Sequence, residues 1–173
     1  MSLAVGSPPL VERLTFELGL PDIGWMPIDI EAGAQASAFR ASTVFDPFES
    51  LTPWLEAIAS GRLARLLINI EGVNMGLHVV EPDGETVRFV VTNDSEEALI
   101  HEIDVRIGRT DLVRGIYLPF VETWESDFLA SCWRREWRYD DDDDPNPESP
   151  TNKPYRVRSA LLDDLIREWP LNP

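Results

Sequence analysis

His78 and His101 are the only imidazoles in this 173-residue chain. Imidazole titrates near neutrality, so these two are the natural starting point for any proton-transfer chemistry. When residues 63–107 are arranged as a meander with their apolar positions in phase, one row across the exposed face reads Asn69, His78, Arg88, Asp104. Glu71 flanks it on one edge, Glu102 and Arg106 on the other. A histidine beside an arginine and near a carboxylate has a tunable charge, and could bind an anion or move a proton. The same row also reads as a solvated face with an Arg88–Asp104 cross-strand ion pair worth about 0.5 kcal/mol. That plainer reading is preferred, and a two-residue register slip would dissolve the row. His101 shares phase with Ile103 and Val105, so it is expected inward as a neutral, hydrogen-bonded ring. With the histidines expected on opposite faces, no metal site or catalytic triad is expected. No nucleophile-elbow, zinc-protease or phosphate-loop motif occurs.

Trp133-Arg134-Arg135-Glu136-Trp137-Arg138-Tyr139 has the aromatic and arginine content of an interaction surface, with Trp133, Arg134, Trp137 and Arg138 as its candidates. It equally fits a helix end whose tryptophans pack inward while its arginines neutralise Asp140–Asp144. The intramolecular account is preferred. The Asp140–Asp144 run lacks the ligand spacing and central glycine of a calcium loop, and reads as part of a flexible, Pro-rich linker over 140–153. Cys132 stands alone, which excludes an intramolecular disulfide and a cysteine zinc site.

These side chains need a frame to position them, and hydrophobic periodicity supplies it. Leu10–Leu18 is a strand or a short helix, whereas Pro21–Ala36 reads as a long connection because of Gly24, Pro27 and Gly33. Ala36–Phe45 alternates and is a half-buried strand. Asp46-Pro47-Phe48-Glu49 starts a helix with a capping box, Phe48, Leu51, Leu55 and Ile58 form its apolar stripe, and Gly61 ends it. Pro53 is expected to kink that helix. Residues 63–107 give a four-stranded meander, and Thr110-Asp111 begins the longest helix, where Pro119 is expected to kink and Gly115 to make room for its ring. Ser159–Glu168 is a final amphipathic helix. The sum is a single α+β domain over 1–173, with an antiparallel sheet of five or six strands and helices packed on one face.

Charge then narrows the partners. Thirty-one Asp and Glu against 15 Lys and Arg leave a net of −16, and removing the five-residue Asp run still leaves −11. Such a chain is ill suited to nucleic acid or to anionic membranes. No secretory leader and no apolar run of spanning length is present, so a cytoplasmic protein is expected.

The run from Phe45 to Glu49, with Trp54-Leu55-Glu56-Ala57-Ile58, Gly61 and Ile70-Glu71-Gly72, resembles small bacterial α+β proteins of unknown function, some of them immunity-protein-like. The resemblance covers about residues 36–125. It implies a fold and a bacterial cytosol, and carries no functional residue across. The expectation is a non-enzymatic acidic binding protein with a basic partner, an immunity-type inhibitor being one concrete form. No cofactor or metal is expected. The alternative is a small-ligand binder or hydrolase using the polar row, and homodimerisation through a sheet edge is compatible with either.

Overall fold

Among the described residues eight strands, three α-helices and a short 3-10 helix at Thr43–Phe45 follow one another along the chain. The strands and α-helices are β1 (Leu10–Val11), β2 (Leu14–Leu18), β3 (Trp25–Ala32), β4 (Gln35–Ser42), α1 (Phe48–Ala59), β5 (Ala64–Asn69), β6 (Asn74–Glu81), β7 (Thr86–Asp94), β8 (Leu99–Gly108), α2 (Arg109–Glu125) and α3 (Ala160–Glu168). The computed structural model describes residues 7–82, 84–94, 99–126, 133 and 156–168. The 140–153 linker, Cys132, Arg134, Trp137 and Arg138 lie outside the described residues.

The fold is α+β, but its strands form two sheets where the sequence pointed to one. The larger has the order β1-β8-β7-β6-β5, with β1 parallel to β8 and the rest an antiparallel meander. The meander expected over 63–107 is therefore present. The smaller sheet, β2-β3-β4, is wholly antiparallel.

The 21–36 stretch is the main correction, because most of it is β3. Met26, Ile28, Ile30 and Ala32 alternate and are all buried. Pro27 is tolerated for a geometric reason. Its carbonyl accepts from Gly19 N at 2.9 Å, so its backbone faces the side where β2 has already ended at Leu18. The missing N–H therefore costs only the last bond of the β2–β3 ladder, toward Gly19, and none of the β3–β4 ladder. Gly33, at φ +63°, opens the two-residue hairpin that returns the chain into β4.

Helix α1 starts one residue later than the capping box implied, with Pro47 at the cap position and Asp46 Oδ1 accepting from Phe48 N at 2.9 Å. Gly61, at φ +70°, lets the chain turn away after it. The helix is continuous through Pro53, and α2 is continuous through Pro119. Gly115 has a role that the sequence did not imply. A Cβ there would lie 2.7 Å from the Leu14 carbonyl oxygen, so the glycine allows α2 to press onto β2. Helix α2 begins directly after Gly108, without a side-chain cap, and Arg109 N instead donates to Glu85 O at 2.7 Å.

One continuous core joins the inner face of the large sheet, the inner face of the small sheet and the apolar stripes of all three helices. Helix α3 docks through Leu162 and a polar latch. Tyr117 Oη accepts from Ser159 N at 2.9 Å and donates to Asp163 Oδ1 at 3.0 Å. Arg158 clamps Glu125 with two bonds of 2.7 and 2.8 Å. No helix among the described residues is long and apolar enough to cross a membrane.

Candidate functional site

The polar row does not form as the sequence arranged it. In the observed register Arg65 faces His78, His78 faces Val90, and Val90 faces Asp104. Arg88 lies opposite Arg106, and Asn69 opposite Asn74. The slip comes from the turns and bulges. A tight turn at Glu71-Gly72, with φ of +60° and +112°, sets the β5–β6 register, and an irregularity at Val79–Glu81 shifts β6 against β7.

Each member of the row then has a local job. Asn69 Oδ1 accepts from Glu71 N at 2.8 Å and steadies the turn. Arg88 holds Asp104 through two bonds of 2.8 Å and reaches Glu81 at 3.3 Å. The Asp104 carboxyl is held below its ordinary range, chiefly by that guanidinium. His78 Nε2 lies 3.0 Å from Thr92 Oγ1. Burial first, then the charges of Arg65 and His101, lowers the His78 pKa and so favours the neutral ring. Gly76 makes this possible, since a Cβ at that position would overlap the imidazole. The preferred reading of an Arg88–Asp104 pair on a solvated face is what the geometry displays.

His101 points outward and is exposed, against expectation. Thr92 pairs with His101 while Val91 pairs with Ile103, so Glu102 is an extra residue and the alternation breaks there. Both histidines thus lie on the outer side of the same sheet. Trp133 packs inward, as the preferred intramolecular account has it: it is 1% exposed, sits edge-on to Phe48 with centroids 5.4 Å apart, and donates to Asp46 Oδ2 at 3.1 Å. It is core, and no part of an interaction surface.

What the sequence reading missed is the outer face of the small sheet. Glu17 and Asp29 are direct cross-strand partners, and Glu31 is two residues along β3, opposite Thr15. All three are exposed. On β4 the residues directly opposite Asp29 and Glu31 are Ala38 and Ala36, which are too small to cover the carboxylates. Arg40 is diagonal to Asp29, yet none of these acids is in an ion pair among the described residues. Like charges placed directly opposite destabilise a sheet. Beside this face a groove of about 580 Å³ runs between β2 and α2, with Glu17 and Glu122 along it and Arg114 and Leu118 on the helix side. Among the described residues no three His, Cys, Asp or Glu side chains are gathered as metal ligands would be.

The signal for this face was legible. Asp29 and Glu31 alternate with Ile28, Ile30 and Ala32, but Pro27 and two glycines outweighed that period in the reading. Comparison with protein-family models, with curated proteins and with solved structures finds no match to this chain.

Proposed function

We propose that this is a non-enzymatic cytosolic binding protein that recognises a positively charged segment of a protein partner through the carboxylate face of its three-stranded sheet. One observation carries the reading. Glu17, Asp29 and Glu31 are exposed together and in no ion pair among the described residues, with alanines directly opposite Asp29 and Glu31 on β4 and Arg40 diagonal to Asp29. The overall charge of −16 steers cationic partners toward the molecule, and the face gives them a place to land. An immunity-type inhibitor of a basic toxin enzyme is one concrete form. The groups best suited to chemistry support the non-enzymatic reading, because Arg88 and Asp104 are bonded to each other and His78 to Thr92.

The test is calorimetric titration with a synthetic peptide of alternating arginine and valine at low and high salt. Binding weakens by about tenfold or more as the Debye length shrinks. The triple variant Glu17→Gln, Asp29→Asn, Glu31→Gln loses it, while neutralising Asp140–Asp144 leaves most of it. Equal affinity for the triple variant and the parent overturns the proposal.

The ligand-binding or hydrolytic alternative retains one supporting observation, the Thr92 hydroxyl beside a neutral His78. Among the described residues no carboxylate orients the ring from behind, which a hydroxyl nucleophile would need.

A further inference from the structure

An unpaired sheet edge invites another strand, and most edges of this molecule are covered. Helix α2 presses on β2 at Gly115. Strand β4 is tied to the large sheet by Gln35, whose amide bonds to both backbone groups of Asp104, and by the Ser37–Glu102 and Ser42–Glu71 hydrogen bonds. The β8 edge is closed by β1 and by Gln35.

Among the described residues the β5 edge is open along 64–68, and its Glu71 end meets β4 through Ser42. Ile70 N donates to Val73 O at 2.8 Å, which fixes the parity of the β5–β6 ladder. Ala64, Leu66 and Ile68 therefore bond to β6, and the N–H and C=O groups of Arg65, Leu67 and Asn69 point away from it. The backbone groups of Arg65 and Leu67 have no partner among the described residues. Leu63 and Leu67 are 69% and 48% exposed, and the strand carries none of the proline or lysine that usually guards an edge. Its charge is also inverted relative to the whole. Arg62 and Arg65 are exposed and unpaired among the described residues, and Ala64–Asn69 holds no acid.

We infer that this edge pairs with the β5 edge of a second copy of the same chain. The occupant follows from self-complementarity. Antiparallel pairing about Leu67 sets Leu67 against its symmetry mate, Arg65 against Asn69, and Leu63 against Glu71. All three outward residues then find backbone partners. Arg65 meets an uncharged residue, with the other copy's Glu71 on the diagonal, so no arginine faces an arginine. The contact is isologous and closes at two, joining two five-stranded sheets into one. This pairing is independent of the acidic face, which lies on the other sheet.

Sedimentation of the full chain at low and high salt tests it. A species of twice the 19.6 kDa chain mass is expected. Its population rises with salt, because two chains of −16 repel and screening relieves that. The salt response is thus opposite in sign to that of basic-peptide binding, and either result can fail alone. Leu67→Lys places like charges across the axis and raises the dissociation constant by about tenfold or more, with thermal unfolding of the monomer unchanged. In a Cys132→Ser background, Leu67→Cys forms a disulfide-linked pair on oxidation, because directly opposed residues lie within disulfide reach. A chain that stays monomeric at high salt overturns the inference. So does a dimer indifferent to Leu67→Lys, or a mass series that continues past two.

Discussion

Replacing Asp29 by asparagine removes one charge from the facing pair Glu17–Asp29 and leaves the strand almost unchanged in shape. Asp and Asn are both poor strand residues, so propensity nearly cancels and electrostatics decides the sign. Gly19 N donates to Pro27 O, so Glu17 and Asp29 form a hydrogen-bonded pair two residues along, where Cα atoms are about 5.5 Å apart. Two unit charges at that distance repel by about 0.8 kcal/mol in water, and by about half as much once physiological salt screens them. Asp29→Asn should therefore stabilise the protein by about 0.4–0.8 kcal/mol. For a chain of this size that raises the melting temperature by roughly 1–3 °C. Thermal unfolding followed by circular dichroism reads it directly. The gain should fade at 1 M salt, where the Debye length is about 3 Å. A variant less stable than the parent, or a gain indifferent to salt, refutes the reasoning that these carboxylates oppose one another. The functional counterpart is weaker binding of a cationic peptide by the same variant.

Gly115→Ala sets two effects against each other. Alanine favours a helix interior by about 1 kcal/mol, but its Cβ would lie 2.7 Å from the Leu14 carbonyl, and overpacking against backbone costs about 1–3 kcal/mol. A net loss of about 1 kcal/mol in urea unfolding is expected. His78 carries a pH signature. Its pKa is lowered in the folded protein, so the unfolded chain takes up the proton first as pH falls through imidazole's ordinary 6.5. The contribution is fully present above that value and lost below it, and His78→Gln should flatten the stability profile there. Asp104→Asn breaks the bidentate pair with Arg88 and should cost about 0.5–1.5 kcal/mol by chemical denaturation, much of it screened by salt.

The parts of the fold that were legible rest on local signals with a single meaning. Asp46 and Gly61 bound α1 because such signals act within one turn, and the meander followed from an unbroken period of two. The polar row failed because register is set by the turns and by bulges, and a shift of two or four keeps every residue on its face while changing its neighbours. His101 failed for the related reason that one extra residue, Glu102, inverts the alternation behind it. Strand β3 was hidden by Pro27, whose cost depends on whether a neighbour is present to receive the missing bond. The carboxylate face vanished with it, since Glu17 and Asp29 become neighbours only when β3 exists.

The most direct test of the account follows backbone amide shifts as the arginine–valine peptide is added to the intact chain at low salt. The account predicts that the largest changes fall on β2, β3 and β4 around Glu17, Asp29 and Glu31, and that they disappear in the triple neutral variant. Changes centred instead on His78, Thr92 and Asp104, or persisting in that variant, would contradict it.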